Sequence, residues 1–200
     1  MNIINCGGNA IITLPSDVEG VNNIISYLVK IPLLNTENVV DMDSFFSDCQ
    51  ALTTIPLLDT KNVTNMSSMF GNCAALTTIP LLNTENVIDM SSMFSDCQAL
   101  TTIPLLNIEN VTNGGMDGMF LRCFALENLN LENWNRADID LSYSSKLTPL
   151  SVHNIISQAV GTETRQLTLH ADAWQAWVDS EYHDTDVADA ATKNIEIIEA

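Results

Sequence analysis

Between Ile31 and Leu131 the apolar and polar positions of the chain recur on a fixed beat. Ile31, Ile55, Ile79 and Ile103 each open the same phrase, 24 residues apart. In the copy starting at Ile79, Leu76, Ile79 and Leu81 form an L-x-x-I-x-L pattern. In an unbroken strand Ile79 and Leu81 share parity and point inward, while Thr78, Pro80 and Leu82 point outward. Val87, Met90, Met93, Phe94 and Cys97 follow. From Met90 their spacings of three, four and seven predict a short helix with one buried face. Asp89, like Asn65 and Asp41 in earlier copies, stands where an N-cap is needed. Met66, Met69, Met90 and Met93 keep helical phase with phenylalanine and cysteine, which makes them core rather than an adaptable binding surface.

One such unit cannot bury its own apolar face, and stability has to come from stacking copies. A period between 20 and 29 residues with this strand signature predicts an α/β leucine-rich-repeat solenoid of short parallel strands alternating with short helices. Pro32, Pro56, Pro80 and Pro104 recur in the strand and have no amide hydrogen to give. The strands are therefore expected to be three or four residues long, over the Leu-Thr-Thr-Ile before each proline. After them Asn35, Asp59, Asn83 and Asn107 are expected to bond exposed backbone between neighbouring coils. The fourth copy, Ile103 to Leu129, is two residues longer than the others. Gly114-Gly115 are the simplest insertion, bulging from the turn, and Gly118 weakens the helix that carries Met116, Met119 and Phe120.

The flanks depart from the repeat, as terminal caps must. Residues 1–30 are expected to cap the N-terminal end. Ile3-Ile4 and Ala10 to Leu14 flank a turn at Gly7-Gly8-Asn9, and Ser16 or Asp17 caps a helix through Val18, Val21, Ile24, Ile25 and Leu28. Residues 31–131 are the four repeats. Residues 132–200 form a degenerate C-terminal cap within the same single domain, 1–200. Its expected elements are a strand at Ile139 to Leu141 and a helix capped by Thr148 or Ser151 and stopped by Gly161. A strand from Arg165 to Leu169, short helices around Trp174 and Trp177 and from Val187 to Lys193, and a last strand from Ile195 to Ile198 complete it.

Composition narrows the partners. With 200 residues and 46% hydrophobic content there is material for one substantial core. The 25 acidic residues against 7 basic ones argue against binding nucleic acid or anionic membrane, both of which need a basic footprint. The acidity is expected to keep an apolar solenoid soluble, and no D-x-D-x-D-G run points to calcium. No apolar run is long enough for direct membrane insertion. The opening MNIINCGGNAIITLP has neither a basic nor an apolar segment of the kind a signal peptide needs. Cys49, Cys73, Cys97 and Cys123 fall once per repeat without the close pairing of a zinc site, and Cys6 makes the count odd. Buried thiols filling an apolar slot are expected, with no metal and no other cofactor.

The phrases LTTIPLLNTENVIDMSSMFSDC and LTTIPLLDTKNVTNMSSMFGNC resemble the BspA-like leucine-rich repeats of bacterial surface proteins. Val63, Asn65, Met66, Met69, Phe70, Cys73 and Leu76 reproduce the hallmark V-T-N-M-S-S-M-F-x-x-C followed by L-T. The resemblance covers residues 31 to about 131, and the tail around LSVHNIISQAV is similar to a segment that follows such repeats. It implies a right-handed solenoid, used in adhesion or host contact and placed at the cell surface or secreted. Similar repeats occur in phage-encoded and protozoan proteins, so a virion or the cytoplasm stands as the alternative location. It brings no catalytic residues.

The chain offers little to an enzyme, which needs convergent polar groups. His170 with Asp172, and His183 with Asp184, are the only near neighbours of that kind, and two ligands do not hold a metal. His153 lies among apolar helix positions and is expected to be an ordinary half-buried ring. The outward strand residues are the better candidates for recognition: Thr54, Pro56 and Leu58, then Thr78, Pro80 and Leu82, then Thr102, Pro104 and Leu106. Stacked, they make an apolar ridge, which marks an interaction surface. The alternatives are that these residues recur because the repeats duplicated recently, or that Leu82 and its equivalents tuck into the turn. The expected function is non-enzymatic, an adhesion or interaction module presenting a rigid surface to a protein or glycan. The alternative is a structural or spacer part of a surface or phage assembly, with weak self-association through the ridge.

Overall fold

The computed structural model describes residues 31, 33–161 and 163–200, together with the backbone of two strands, β1 (Asn2–Asn5) and β2 (Ile11–Leu14), which pair antiparallel. The turn expected at Gly7-Gly8-Asn9, the helix expected from Val18 to Leu28, Cys6 and Pro32 lie outside the described residues.

From Ile31 onward, equivalent positions of successive copies lie against one another. Phe46, Phe70, Phe94 and Phe120 stack ring on ring, with centroids 5.6, 5.7 and 6.4 Å apart and planes within 12° of parallel. Beside them runs a column of sulfur. The thiols of Cys73, Cys97 and Cys123 donate to the carbonyls of Phe46, Phe70 and Phe94 in the preceding copy, at 3.1, 3.1 and 3.2 Å. Met66, Met69, Met90 and Met93 are sealed in the same core. Each copy thus buries its apolar face only against its neighbours.

The helices expected inside the repeats do not form. Residues 42–52, 66–76 and 90–100 are runs of tight turns whose amides alternate between two destinations. Met66, Ser68, Phe70 and Asn72 donate to the carbonyls of Asp89, Ser91, Met93 and Ser95 in the next copy, at 2.7–2.9 Å. The residues between them, Met69, Gly71 and Cys73, donate back to Met66, Ser68 and Phe70 three positions earlier. A helix needs every amide for the carbonyl four back. Positive φ at Ser44, Asp48, Ser68, Asn72, Ser92 and Asp96, between 52° and 64°, interrupts that path twice per copy. Asp41, Asn65 and Asp89 keep a capping role, accepting the amides of Asp43, Ser67 and Ser91 two residues on, so they open a turn rather than a helix.

Proline shapes the strand segments. β3 (Thr102–Asn107) and β4 (Asn128–Glu132) pair in parallel, and their register shifts between Ile103 and Leu106, the stretch that holds Pro104. β3 is six residues long and runs through Pro104 instead of ending before it, while earlier copies carry only isolated bridges, such as Thr78 with Thr102, in place of the short strands expected there. Where the ladder lapses, buried threonines replace it. Thr60 Oγ1 accepts the Asn83 amide at 2.8 Å and donates to the Asn83 carbonyl at 2.9 Å. Thr84 treats Asn107 the same way, and Thr36 accepts from Asp59.

The coil-to-coil bonds expected of Asn35, Asp59, Asn83 and Asn107 are made by other side chains. Those four cap their own turns, accepting amides two residues on. Asn62, Asn86, Asn110 and Asn135 make the crossing instead, each donating to a carbonyl of the preceding copy at 2.8–2.9 Å. The insertion of the fourth copy is a 3₁₀ turn, Asn113–Met116. Gly115 occupies the place that Asp89 holds one copy earlier, accepting the Met90 amide as Asp89 accepts that of Met66.

Past β4 the chain alternates strand and helix: β5 (Ile139–Leu141), α1 (Pro149–Ser157), β6 (Arg165–Leu169), α2 (Ala171–Val178), α3 (His183–Thr192) and β7 (Ile195–Glu199). β5, β6 and β7 form one parallel sheet in that order. The Thr148 side chain caps α1, and Lys193 Nζ donates to the Ile156 and Ser157 carbonyls at its other end. Arg165, buried, lies over the Trp134 ring at 4.7 Å and donates to the carbonyls of Glu163 and Val160.

Candidate functional site

The proline that shifts the register also decides which leucine of each Leu-Leu pair faces water. Leu58, Leu82 and Leu106, expected to point outward, are buried at 4%, 3% and 0% exposure. Their neighbours Leu57, Leu81 and Leu105, expected inward, are 68%, 61% and 42% exposed, and Leu33 is 81% exposed. The correction is one residue, and its cause is mechanical. Parity carries along a strand only while the pleat is regular, and Pro104 with Leu105 forms an irregularity that turns both Ile103 and Leu106 inward. Of the other residues expected on the ridge, Thr54 and Thr78 are exposed, whereas Thr102, Pro56, Pro80 and Pro104 are half-buried.

The structure thus sets one exposed leucine per copy in a row, Leu33, Leu57, Leu81 and Leu105. Between this row and the turn that follows runs a shallow groove of about 420 Å³. Leu81 and Leu105 form its apolar side, and Asp59, Lys61, Asn83, Glu85 and Glu132 its polar one. A second hollow lies between Leu33 and Leu57, so the feature extends along the stack. Lys61 Nζ donates to Asp59 Oδ2 at 3.0 Å, and this bond holds the Asp59 carboxyl below its usual range. Both groups face water, and the pair orders the rim rather than the core.

The titratable clusters of the C-terminal part are arranged for structure. His170 accepts the Asp172 amide at 3.1 Å and caps α2, so the two do not converge on a third group. His183 packs edge-on against Trp177, and Asp184 beside it is exposed. One pairing the sequence did not suggest is that of His153 with Asp186. Asp186, fully buried, accepts from His153 Nδ1 at 2.7 Å and from Trp177 Nε1 at 2.8 Å, while Tyr182 stacks on the histidine ring. The three groups come from α1, α2 and α3 and tie those helices together. Only the sequence separation of 33 residues hid the pair. Among the described residues no group of three or more His, Cys, Asp or Glu is placed to hold a metal ion, and no helix is long and apolar enough to cross a membrane.

The thiols are sequestered. Burial pushes Cys73, Cys97 and Cys123 up from their usual value, Cys123 to about 12. They are packing groups.

No curated protein and no solved structure matches the chain. A family model does, in two overlapping segments, residues 20–102 and 41–146, which together span more than half of the 200 residues. The overlap is what a chain of near-identical copies produces, since one model can be laid on it in more than one register. The chain belongs to the family described as "Mycoplasma protein of unknown function, DUF285".

Proposed function

We propose that the chain is a leucine-rich-repeat solenoid of the BspA-like kind, serving as a non-enzymatic interaction module at a cell surface. The observation that carries this is the exposed row Leu33, Leu57, Leu81 and Leu105. A leucine left in water once is unremarkable, but four in register make a contiguous apolar patch, and patches of that kind are binding surfaces. The row is backed by a bonded scaffold: Thr60 and Thr84, which line the same groove, tie each copy to the next and fix its shape before any partner arrives. Such preorganisation lowers the ordering cost of association. Adhesion and surface placement rest on the resemblance of the repeat phrases alone, since the family the chain belongs to is described as of unknown function.

The test is an array of immobilised surface proteins and glycans probed with the full chain and with a Leu57→Ser, Leu81→Ser, Leu105→Ser variant. Binding by the parent, lost in a variant of unchanged thermal midpoint, is the expected result. Binding that survives the three substitutions overturns the assignment of the row, and a parent that binds nothing overturns the module.

A further inference from the structure

We infer that the partner of the leucine row is a cationic amphipathic helix of another protein, an inference that rests on the row being a binding surface. Three observations select that occupant. The first is charge. Along the groove Asp59 and Lys61 neutralise each other, whereas Glu85 and Glu132 form no ion pair among the described residues. Glu37 and Glu109, exposed, stand in their copies where Lys61 and Glu85 stand in theirs. With 25 acidic residues against 7 basic in the whole chain, the field around the row attracts cations and repels anions.

The second is the chemistry of the lining. The groove is walled by leucine on one side and by mostly acidic and amide side chains on the other, with no aromatic ring among its lining residues. Sugars are held by stacking on aromatic faces together with dense polar contacts. Leucine against leucine is how helices are held, apolar face into apolar groove.

The third is pitch. Where copies bridge in parallel, as Thr78 does with Thr102, strand segments pack about 4.8 Å apart, and that spacing puts Leu57 and Leu105, two copies apart, roughly 10 Å from each other along the stack. A helix rises about 1.5 Å per residue, and its i and i+7 residues are also about 10 Å apart on one face. A helix laid along the row therefore meets it in phase, with its basic flank over Glu85 and Glu132.

The experiment uses the full chain and two synthetic helices of about 18 residues with the same apolar face, one Leu/Lys and one Leu/Glu. Fluorescence anisotropy measures each affinity at low and high salt. The Leu/Lys helix should bind at least about tenfold tighter than the Leu/Glu helix. The L57S/L81S/L105S variant should lose about tenfold or more, and Glu85→Gln with Glu132→Gln several-fold, the latter shrinking as salt rises. Glu181→Gln with Asp184→Asn, on the distant C-terminal part, should change nothing. Equal binding by the leucine variant, or an equal loss in the distant acidic variant, would mean attraction to net charge alone and overturn the proposal. So would self-association in sedimentation that the leucine substitutions abolish, since a second copy would then cover the row. Failure of the Leu/Lys helix, or preference for the Leu/Glu one, ends the cationic-helix proposal. The array result for the interaction module stands or falls separately.

Discussion

The hydroxyl of Thr60 both accepts the amide of Asn83 and donates to its carbonyl, so one side chain satisfies both backbone groups of a residue in the next copy. These two part-buried contacts, at 2.8 and 2.9 Å, join the copies just beyond Pro80, where no strand ladder among the described residues does so. Thr60→Val keeps the shape and removes both bonds. It should lower unfolding stability by about 1–3 kcal/mol, the cost of leaving partly buried polar groups unpaired, read as a fall in the urea midpoint at constant slope. In the fourth copy the equivalent residue is Ile108, and there the pairing of β3 with β4 carries the backbone instead. An Ile108→Thr change should accordingly bring no gain.

The sulfur column makes stability depend on pH in the alkaline range. Burial raises the folded-state pKa of Cys73, Cys97 and Cys123 above the usual 9.0, so the unfolded chain releases these protons first. The contribution is fully present below about pH 9 and is lost as pH rises through that value toward the folded pKa. Each thiol should add about 1.4 kcal/mol of destabilisation per pH unit in that window. Urea melts at about pH 8 and pH 10 should show a drop for the parent that is clearly smaller in Cys73→Ala, Cys97→Ala, Cys123→Ala. Lysine and tyrosine titrate in both proteins and cancel in the comparison.

Legibility divided along an unexpected line. The strands and helices after β4, each with a local cause such as the Thr148 cap, come out where their spacing predicts, within a few residues. In the repeats, the inward set of Met90, Met93, Phe94 and Cys97 was plain, but the backbone carrying it was not. A run of turns with φ near +55° at Ser68 and Ser92 presents the same spacing of three and four as a helix, and its deciding bonds go to residues 23 positions away. No window of local sequence contains them. The candidate row failed by one residue for a related reason, because parity was carried across Pro80 and Pro104 as though the pleat continued. The His153–Asp186 pair joins two helices distant in sequence, which periodicity within either cannot report.

Gly114 and Gly115 look interchangeable in sequence and are not so in the fold. A Cβ on Gly115 would lie 2.7 Å from the Ile88 carbonyl oxygen and 2.9 Å from Val111 Cγ1, while on Gly114 its nearest neighbour would be 3.8 Å away. Gly115→Ala should therefore destabilise by about 1–3 kcal/mol, as overpacking of a closed site does. Gly114→Ala should be neutral within about 0.5 kcal/mol. Thermal melts of the two variants side by side decide it.

Removing the Asp186 carboxylate strips the bond from the indole of Trp177 and from the ring of His153 at once. Asp186→Ala should cost about 2–4 kcal/mol, because the Trp177 N–H is then buried without an acceptor. Asp186→Asn retains an acceptor and should cost less. Urea unfolding of the two variants beside the parent, followed by far-UV circular dichroism, checks that order.

The sharpest check on the leucine row compares two adjacent residues. Leu58 is buried and Leu57 is not. Leu58→Ser removes a packed side chain and places a hydroxyl in the core, and should destabilise by about 3–5 kcal/mol. Leu57→Ser, at a site already in water, should change stability by no more than about 0.5 kcal/mol. The order follows from the register shift at proline, because an unbroken pleat would make Leu57 the costly site and Leu58 the silent one. Denaturation of the two single variants therefore tests the geometry of the row without any knowledge of the partner. A result in the reverse order would return Leu58, Leu82 and Leu106 to the surface and dissolve the row of Leu57, Leu81 and Leu105.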